Sequence, residues 1–194
     1  LLAHLQAFLL PIFIGIKSIN RFKQIRFPLI PPFAFSSLGI ASMFEMFDHT
    51  TTDWIYVDHS SIYNWLFYSF LSIGLSFFTI SVAKNKSIIT SNILLIIAAV
   101  FSYWLLDKST TLLIQVLISI LLISQWWRRF KDWVFFIYPI TGVIFTTFFG
   151  ILLSSSGEQI WHVFIGPSGT ISVLAFYEIR SIFVLYPNAS KVFF

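Results

Sequence analysis

The chain alternates between long apolar segments and short polar connections. The apolar segments cover residues 1–16, 27–47, 62–83, 88–106, 109–127, 133–153 and 160–178. Most are close to the roughly 20 residues that an α-helix needs to cross the hydrocarbon core of a bilayer. Because the connections are short, neighbouring helices should be antiparallel. The pattern therefore predicts an all-α, polytopic integral membrane protein of about seven transmembrane helices, forming a single domain over residues 1–194.

Composition excludes a soluble domain. The chain is 57% hydrophobic and only 10% charged. A soluble protein of 194 residues could not bury that much apolar surface. The chain contains no cysteine, which excludes disulfides and thiolate metal sites.

The basic residues are distributed unevenly between the two predicted membrane faces. Eleven of the twelve Lys and Arg residues follow the first, third, fifth or seventh apolar segment, and Lys108 is the exception. Basic residues are retained on the cytoplasmic side during insertion. We therefore predict that the N-terminus lies outside and the C-terminus is cytoplasmic. The net charge of +4 then reflects topology and gives no indication of nucleic-acid binding.

Acidic and histidine residues concentrate at the predicted non-cytoplasmic face. Glu45 and His49 are four residues apart at the end of the second segment, and Glu158 and His162 have the same spacing in the seventh. Residues four apart share a helix face. If these two helices are neighbours, two carboxylates and two imidazoles meet in one pocket, beside Asp58. Further residues at this face are His4, Asp48, Asp53, His59 and Asp107.

Carboxylate and imidazole groups form a ligand set that suits zinc or another transition metal. Such a metal lowers the pKa of a bound water and makes it a nucleophile. Asp58 would then act as general base, and Ser42 would hydrogen-bond the water or an oxyanion. The simpler interpretation is that acids and histidines at span ends lie in the polar interface without a chemical role.

Three short patches resemble the CREST superfamily of seven-span membrane hydrolases, which includes the alkaline ceramidases and the progestin and adipoQ receptors. Segment 39–45, Gly-Ile-Ala-Ser-Met-Phe-Glu, is similar to the Ser-containing run of ceramidase span two. Asp58 matches the family's Asp at the start of span three. Segment 161–166, Trp-His-Val-Phe-Ile-Gly, is similar to ceramidase span seven. The resemblance implies a zinc site and hydrolysis of a lipid amide.

The chain departs from the CREST motifs at two positions. The first His of the family's His-x-x-x-His motif is Glu158 here, and the family's Ser-x-x-x-His of span two is absent, with Ser42 seven residues before His49. A metal site built from His49, Glu158 and His162, with Glu45 as a further ligand, remains available because Glu can replace His on zinc.

Two other functions remain open. The chain would also suit a non-catalytic membrane subunit, an assembly factor, or a lipid- or pigment-binding component of a larger membrane complex. A transporter ranks last, because no acid lies at the predicted midplane and no inverted repeat is visible. In every case membrane lipid is the expected environment, and for the hydrolase a lipid is the expected substrate.

Trp126 and Trp127, followed by Arg128 and Arg129, predict an aromatic and basic belt at the membrane interface. Pro31 and Pro32 are predicted to start or kink a helix.

Overall fold

The computed structural model describes residues 2–21, 29–51, 62–83, 85–105 and 108–130. These residues form five α-helices. They are α1 (Leu2–Arg21), α2 (Ile30–Thr51), α3 (Ile62–Val82), α4 (Lys86–Leu105) and α5 (Lys108–Phe130). The described part is all-helical, as predicted, and the predicted spans 133–153 and 160–178 lie outside it.

Four of the five helices are long and apolar enough to cross a membrane. Their apolar stretches are Ile30–Asp48, Ile62–Val82, Lys86–Leu105 and Thr110–Arg128. In α1 the apolar stretch is shorter, Leu5–Lys17. The second to fifth predicted spans therefore correspond to α2–α5, and the first corresponds to α1.

Local sequence explains two of the helix starts. Pro31 and Pro32 lie in the first turn of α2, where a missing backbone N–H removes no helix hydrogen bond. At the start of α4, the backbone N–H of Ser87 donates to Asn85 Oδ1 at 2.9 Å. This contact satisfies one of the donors that every helix N-terminus leaves unpaired.

Consecutive helices pack antiparallel, and α3 contacts α2, α4 and α5. Helices α1 and α2 approach closely, since a Cβ built on Gly39 would lie 2.6 Å from Phe8 O. In the same pair, a Cβ on Gly15 would lie 2.9 Å from Pro32 O. Glycine at these positions lets the two helices approach more closely than larger residues would allow.

The antiparallel order creates two chemically different ends of the bundle. Lys17, Lys86 and Arg128 lie at helix termini that share one end, which we call the basic end. Asp48, at the end of the apolar stretch of α2, lies at the opposite end, which we call the Asp48 end. The uneven charge distribution seen in the sequence is thus present in the folded helices.

The interior also differs between the two ends. The apolar core lies towards the basic end and consists of Ile14, Ala34, Phe35, Phe78, Val82, Leu122 and Trp126. The Phe35 and Phe78 rings pack edge to face within it, with centroids 4.9 Å apart. Towards the Asp48 end, the buried side chains are largely polar: Asp48, Asn64, Ser102, Thr111 and Gln115.

The prediction that both tryptophans form an interface belt is wrong for Trp126. Trp127 is 43% exposed, as an interface residue should be, whereas Trp126 is fully buried in the apolar core. Adjacent helix positions differ by about 100° in direction, since the helix has roughly 3.6 residues per turn. Only one residue of such a pair can therefore point into the bundle.

The outer surface of the bundle is apolar. Large exposed side chains on α4 and α5 include Ile93, Leu94, Ile97, Phe101, Leu113, Val116, Leu117 and Ile120. Such a surface would aggregate in water but is normal against lipid tails.

Candidate functional site

A chain of hydrogen bonds joins three helices at the Asp48 end. Asn64 Nδ2, in the first turn of α3, donates to Asp48 Oδ2 of α2 at 3.0 Å. Tyr103, near the end of α4, donates its hydroxyl to Asn64 Oδ1 at 3.0 Å. We call these three residues the Asp48 cluster. Each is more than nine-tenths buried, with Asp48 only 2% exposed.

The helix ends explain why these residues meet. Asp48 comes late in α2 and Asn64 early in α3, so the antiparallel turn brings them to the same level. Tyr103 reaches that level at the far end of α4. A buried carboxyl group is costly unless it is hydrogen-bonded, and the Asn64 amide supplies such a bond while accepting one from Tyr103.

Aromatic side chains lie next to members of the Asp48 cluster. The Phe47 ring lies 5.8 Å from the Tyr63 ring, directly beside Asp48 and Asn64 in the chain. On the α4 side, the Tyr103 ring is 6.3 Å from Tyr68 and 5.4 Å from Trp104. One aromatic pair thus follows the helix positions next to Asp48 and Asn64, and two further rings pack on the Tyr103 ring.

Further polar contacts continue from the cluster into the bundle. Ser102 and Thr111 hydroxyls join α4 to α5 at 2.8 Å. One turn deeper, Gln115 Nε2 of α5 donates to Tyr68 O at 2.9 Å and to Ser72 Oγ at 3.1 Å. The interior of the described helices is therefore polar as far as the middle of α3.

Sequence comparison identifies the family to which these helices belong. The family model of the seven transmembrane receptors (7TM_cyano) matches residues 1–183. The chain belongs to this seven transmembrane receptor family. No curated protein and no solved structure matches the chain.

Membership in this seven transmembrane receptor family supports the predicted seven-span plan and does not support the CREST resemblance. The match spans almost the whole chain, including the predicted sixth and seventh segments, and supports an integral multi-pass protein with a seven-span plan. It does not support membership in the CREST superfamily. The three short patches that suggested CREST occupy a small part of the chain, so a match over residues 1–183 carries more weight.

The structure describes only part of the metal site predicted from sequence. Ser42 and Glu45 lie half-buried in the second half of α2. His49 lies in the last turn of the same helix, but its side chain is outside the described part of the chain, as are Asp58, Glu158 and His162. Among the described residues, no group of three or more His, Asp or Glu side chains is placed to hold a metal.

Sequence reasoning did not find the Asp48 cluster. It named Asp48 only as a further acid at this face, and it did not consider Asn64 or Tyr103. The available signal was the position of Asn64 close to the start of an apolar span, where a buried amide needs partners. Identifying those partners required knowledge of which helices touch.

Proposed function

We propose that this family member is a membrane receptor that binds a small organic cation at the Asp48 cluster. The observation that carries the proposal is the carboxyl group of Asp48, which is 2% exposed at the end of an apolar span. Ionisable groups at membrane depth are costly and mark functional sites more often than they serve packing. The name of the family, seven transmembrane receptor, supports a binding function.

The surroundings of Asp48 favour a positively charged ligand over a neutral or anionic one. Aromatic rings attract ammonium groups through their faces, and recognition of quaternary ammonium ligands commonly uses aromatic cages. The cluster includes the Tyr103 ring, and the Tyr68 and Trp104 rings pack beside it. Segment 49–61 adds two acidic residues, Asp53 and Asp58, and no basic one, so the field at this end should draw cations towards it.

The same cluster could couple ligand binding to a change in the packing of α2, α3 and α4. Asp48, Asn64 and Tyr103 belong to three different helices and are joined in series. A cation that competes with the Asn64 amide for the carboxylate would weaken this link between α2, α3 and α4. A ligand can shift a conformational equilibrium only by its differential affinity for the two states, and a shared hydrogen-bond acceptor provides that difference.

The test is the thermal stability of the purified protein in lipid nanodiscs with choline and with its uncharged carbon isostere, dimethylbutanol. Ligand that binds only the folded state raises the melting temperature in a concentration-dependent manner. We expect choline to raise the Tm and the isostere to have no effect. In the Asp48→Asn variant, which keeps two hydrogen-bonding atoms and loses the charge, the rise should disappear.

The matched control is Glu45→Gln, which removes a half-buried carboxylate one turn earlier on the same helix. It should retain the response to choline. If Asp48→Asn responds like the wild type, or if dimethylbutanol and choline act equally, the cation-receptor proposal is wrong.

The second candidate is the metal-dependent hydrolase of a lipid amide or ester suggested by the sequence. Its support in the described helices is that Ser42 and Glu45 are three residues apart on α2 and His49 is four residues beyond Glu45. These spacings suit one shared face. In this candidate His49, Glu45, Glu158 and His162 bind zinc, and Asp58 and Ser42 assist catalysis.

Elemental analysis separates the two candidates. The hydrolase predicts about one bound transition metal, as in zinc enzymes generally, and its loss in His162→Ala and Glu45→Gln. Metal and lipid hydrolysis should also disappear together in a folded Glu158→Ala protein. If wild-type protein takes up no metal even when it is supplied, this candidate fails. A stable complex with other membrane chains, with neither metal nor cation binding, would favour the non-catalytic subunit.

A further inference from the structure

Three serines on α3 form a polar stripe within the membrane-spanning part of the bundle. Ser69, Ser72 and Ser76 follow Trp65 at intervals of four, three and four residues, which places all four on one helix face. Trp65 Nε1 donates to Val100 O of α4 at 2.8 Å. This face, which we call the serine face, therefore meets α4 at Trp65, and it meets α5 at Ser72, whose Oγ accepts from Gln115 Nε2 at 3.1 Å.

Two of the serine hydroxyls have no partner among the described residues. Ser69 is 4% exposed and Ser76 is fully buried, and neither Oγ makes a hydrogen bond within the described helices. Ser and Thr in helices usually bond the carbonyl one turn back. Ser72 and Thr79 do so, with Tyr68 O and Leu75 O at 2.8 Å and 2.9 Å. The hydroxyls of Ser69 and Ser76 do not donate to the carbonyl one turn back.

A third unsatisfied polar atom belongs to α4. Asn92 is fully buried, and its Nδ2 donates to Ile88 O at 2.9 Å. Its Oδ1 accepts no hydrogen bond among the described residues. The antiparallel register that pairs Asn64 with Tyr103 and Trp65 with Val100 brings Asn92 to the level of Ser76.

These atoms lie deep in the span. Ser72 is the central residue of α3, and Ser76 is only four residues further along, or about 6 Å at the usual helix rise. A buried polar group without a partner costs about 1–3 kcal/mol. Serines that served only close helix packing would be expected to use their local carbonyls.

We propose that ordered water occupies the interior between the serine face and α4 and hydrogen-bonds Ser69, Ser76 and Asn92. Water can donate to Asn92 Oδ1 and can accept from or donate to the hydroxyls, and buried waters typically make about three such bonds. Bare ions are disfavoured because the described lining carries no charge and desolvation in the membrane is expensive. The polar contacts between Gln115, Ser72 and Tyr68 connect this site towards the Asp48 end.

The proposal does not depend on the receptor function, because it rests on atoms outside the Asp48 cluster. Its consequence is that the deeper part of the α3–α4 interface, beyond the direct bonds of Asn64 with Tyr103 and of Trp65 with Val100, is joined through water. Bridging water can rearrange without breaking a direct side-chain contact, so this deeper part of the interface would tolerate small changes in helix packing.

The absence of cysteine from the chain allows a single-site test. The Ser76→Cys protein, labelled with ¹³C-cysteine and reconstituted in bilayers, carries one labelled residue. In water-edited solid-state NMR, magnetisation from exchanging water builds up at carbons close to that water. We expect the build-up at the labelled methylene to be several-fold faster in Ser76→Cys than in two controls at similar depth.

The first control is Ile118→Cys, a fully buried position on α5, and the second is Ile93→Cys, an exposed apolar position on α4 beside Asn92. Circular dichroism and thermal melting establish that each variant is folded, and Ser69→Cys replaces Ser76→Cys if the latter does not fold. Build-up in the serine variant no faster than in Ile118→Cys would overturn the proposal, because the serine face would then be dry.

Discussion

At the scale of single residues, Trp126 and Trp127 are adjacent in the chain but differ strongly in burial. Trp126 is fully buried in the apolar core, whereas Trp127 is 43% exposed. Replacing a buried Trp by Ala typically costs about 3–5 kcal/mol, because transfer energy is lost and a cavity remains. We expect Trp126→Ala to lower the free energy of unfolding by an amount in that range, measured by denaturant titration in micelles.

The neighbouring Trp127→Ala variant is the control, since it changes the same residue type at the adjacent position. It should cost well under half as much, because it removes an interface contact and opens no cavity. Equal losses of unfolding free energy in the two variants would show that Trp126 does not fill the core.

The residues of the Asp48 cluster show how far sequence can predict a site. The excess of acids at one membrane face is visible in the sequence, and it directs attention to the end of α2, where Asp48 lies. Asn64 and Tyr103 carry no charge, and such residues are common in membrane spans, so nothing in the sequence separates them from residues that face lipid. Their importance lies in the hydrogen bonds across α2, α3 and α4, which depend on packing between distant segments.

At the scale of helices, glycine controls how closely α1 and α2 approach. A Cβ on Gly39 would meet the backbone oxygen of Phe8 at 2.6 Å and Ile12 Cγ1 at 2.7 Å. Backbone cannot move away easily, and overpacking typically costs about 1–3 kcal/mol. We expect Gly39→Ala to destabilise the protein by an amount in that range and to loosen the α1–α2 pair, measured by unfolding and by proteolysis of α1.

Gly74→Ala on α3 is the matched comparison. Its Cβ would first meet Leu38 Cδ2 at 2.8 Å, the far end of a flexible side chain that can change rotamer, and the backbone oxygen of Ala34 is further away, at 3.1 Å. Both substitutions gain the same helix propensity, so the difference between them reports packing. A larger loss of stability in Gly74→Ala than in Gly39→Ala would contradict the close α1–α2 contact.

The hydropathy pattern of the sequence predicts the presence of each described helix better than it predicts where the helix ends. The predicted spans 62–83 and 109–127 agree closely with α3 and α5. The first span was predicted to end at residue 16, but α1 continues to Arg21. Hydropathy identifies the part of a helix that lies in hydrocarbon, whereas the helical backbone continues through Lys17 into the polar interface, where charged side chains carry no penalty.

At the scale of the whole molecule, the two ends of the bundle differ in both charge and core. Basic residues and the apolar core share one end, and the Asp48 cluster lies at the other. Packed aromatic and aliphatic side chains stabilise the basic end. At the Asp48 end, a ligand could replace one of the hydrogen-bond partners. This is the division of roles expected if binding occurs at the Asp48 end while the basic end holds the helices together.

The orientation and the number of spans lead to one further prediction. Single cysteines can be placed in the cysteine-free chain at Thr52, Ser87 and Ser155. A membrane-impermeant maleimide applied to intact cells should label Thr52→Cys and Ser155→Cys, because both positions are predicted to be non-cytoplasmic. It should label Ser87→Cys, at the basic end, only after the membrane is permeabilised.

Ser155→Cys decides between seven spans and five. In the seven-span plan, residue 155 lies between the sixth and seventh spans on the outer side. In a five-span protein the chain beyond α5 would remain on the same side as Arg128, and this cysteine would behave like that of Ser87→Cys. The reversed pattern at all three positions would instead invert the topology and place the Asp48 cluster at the cytoplasmic face, where a receptor would take its ligand from inside the cell.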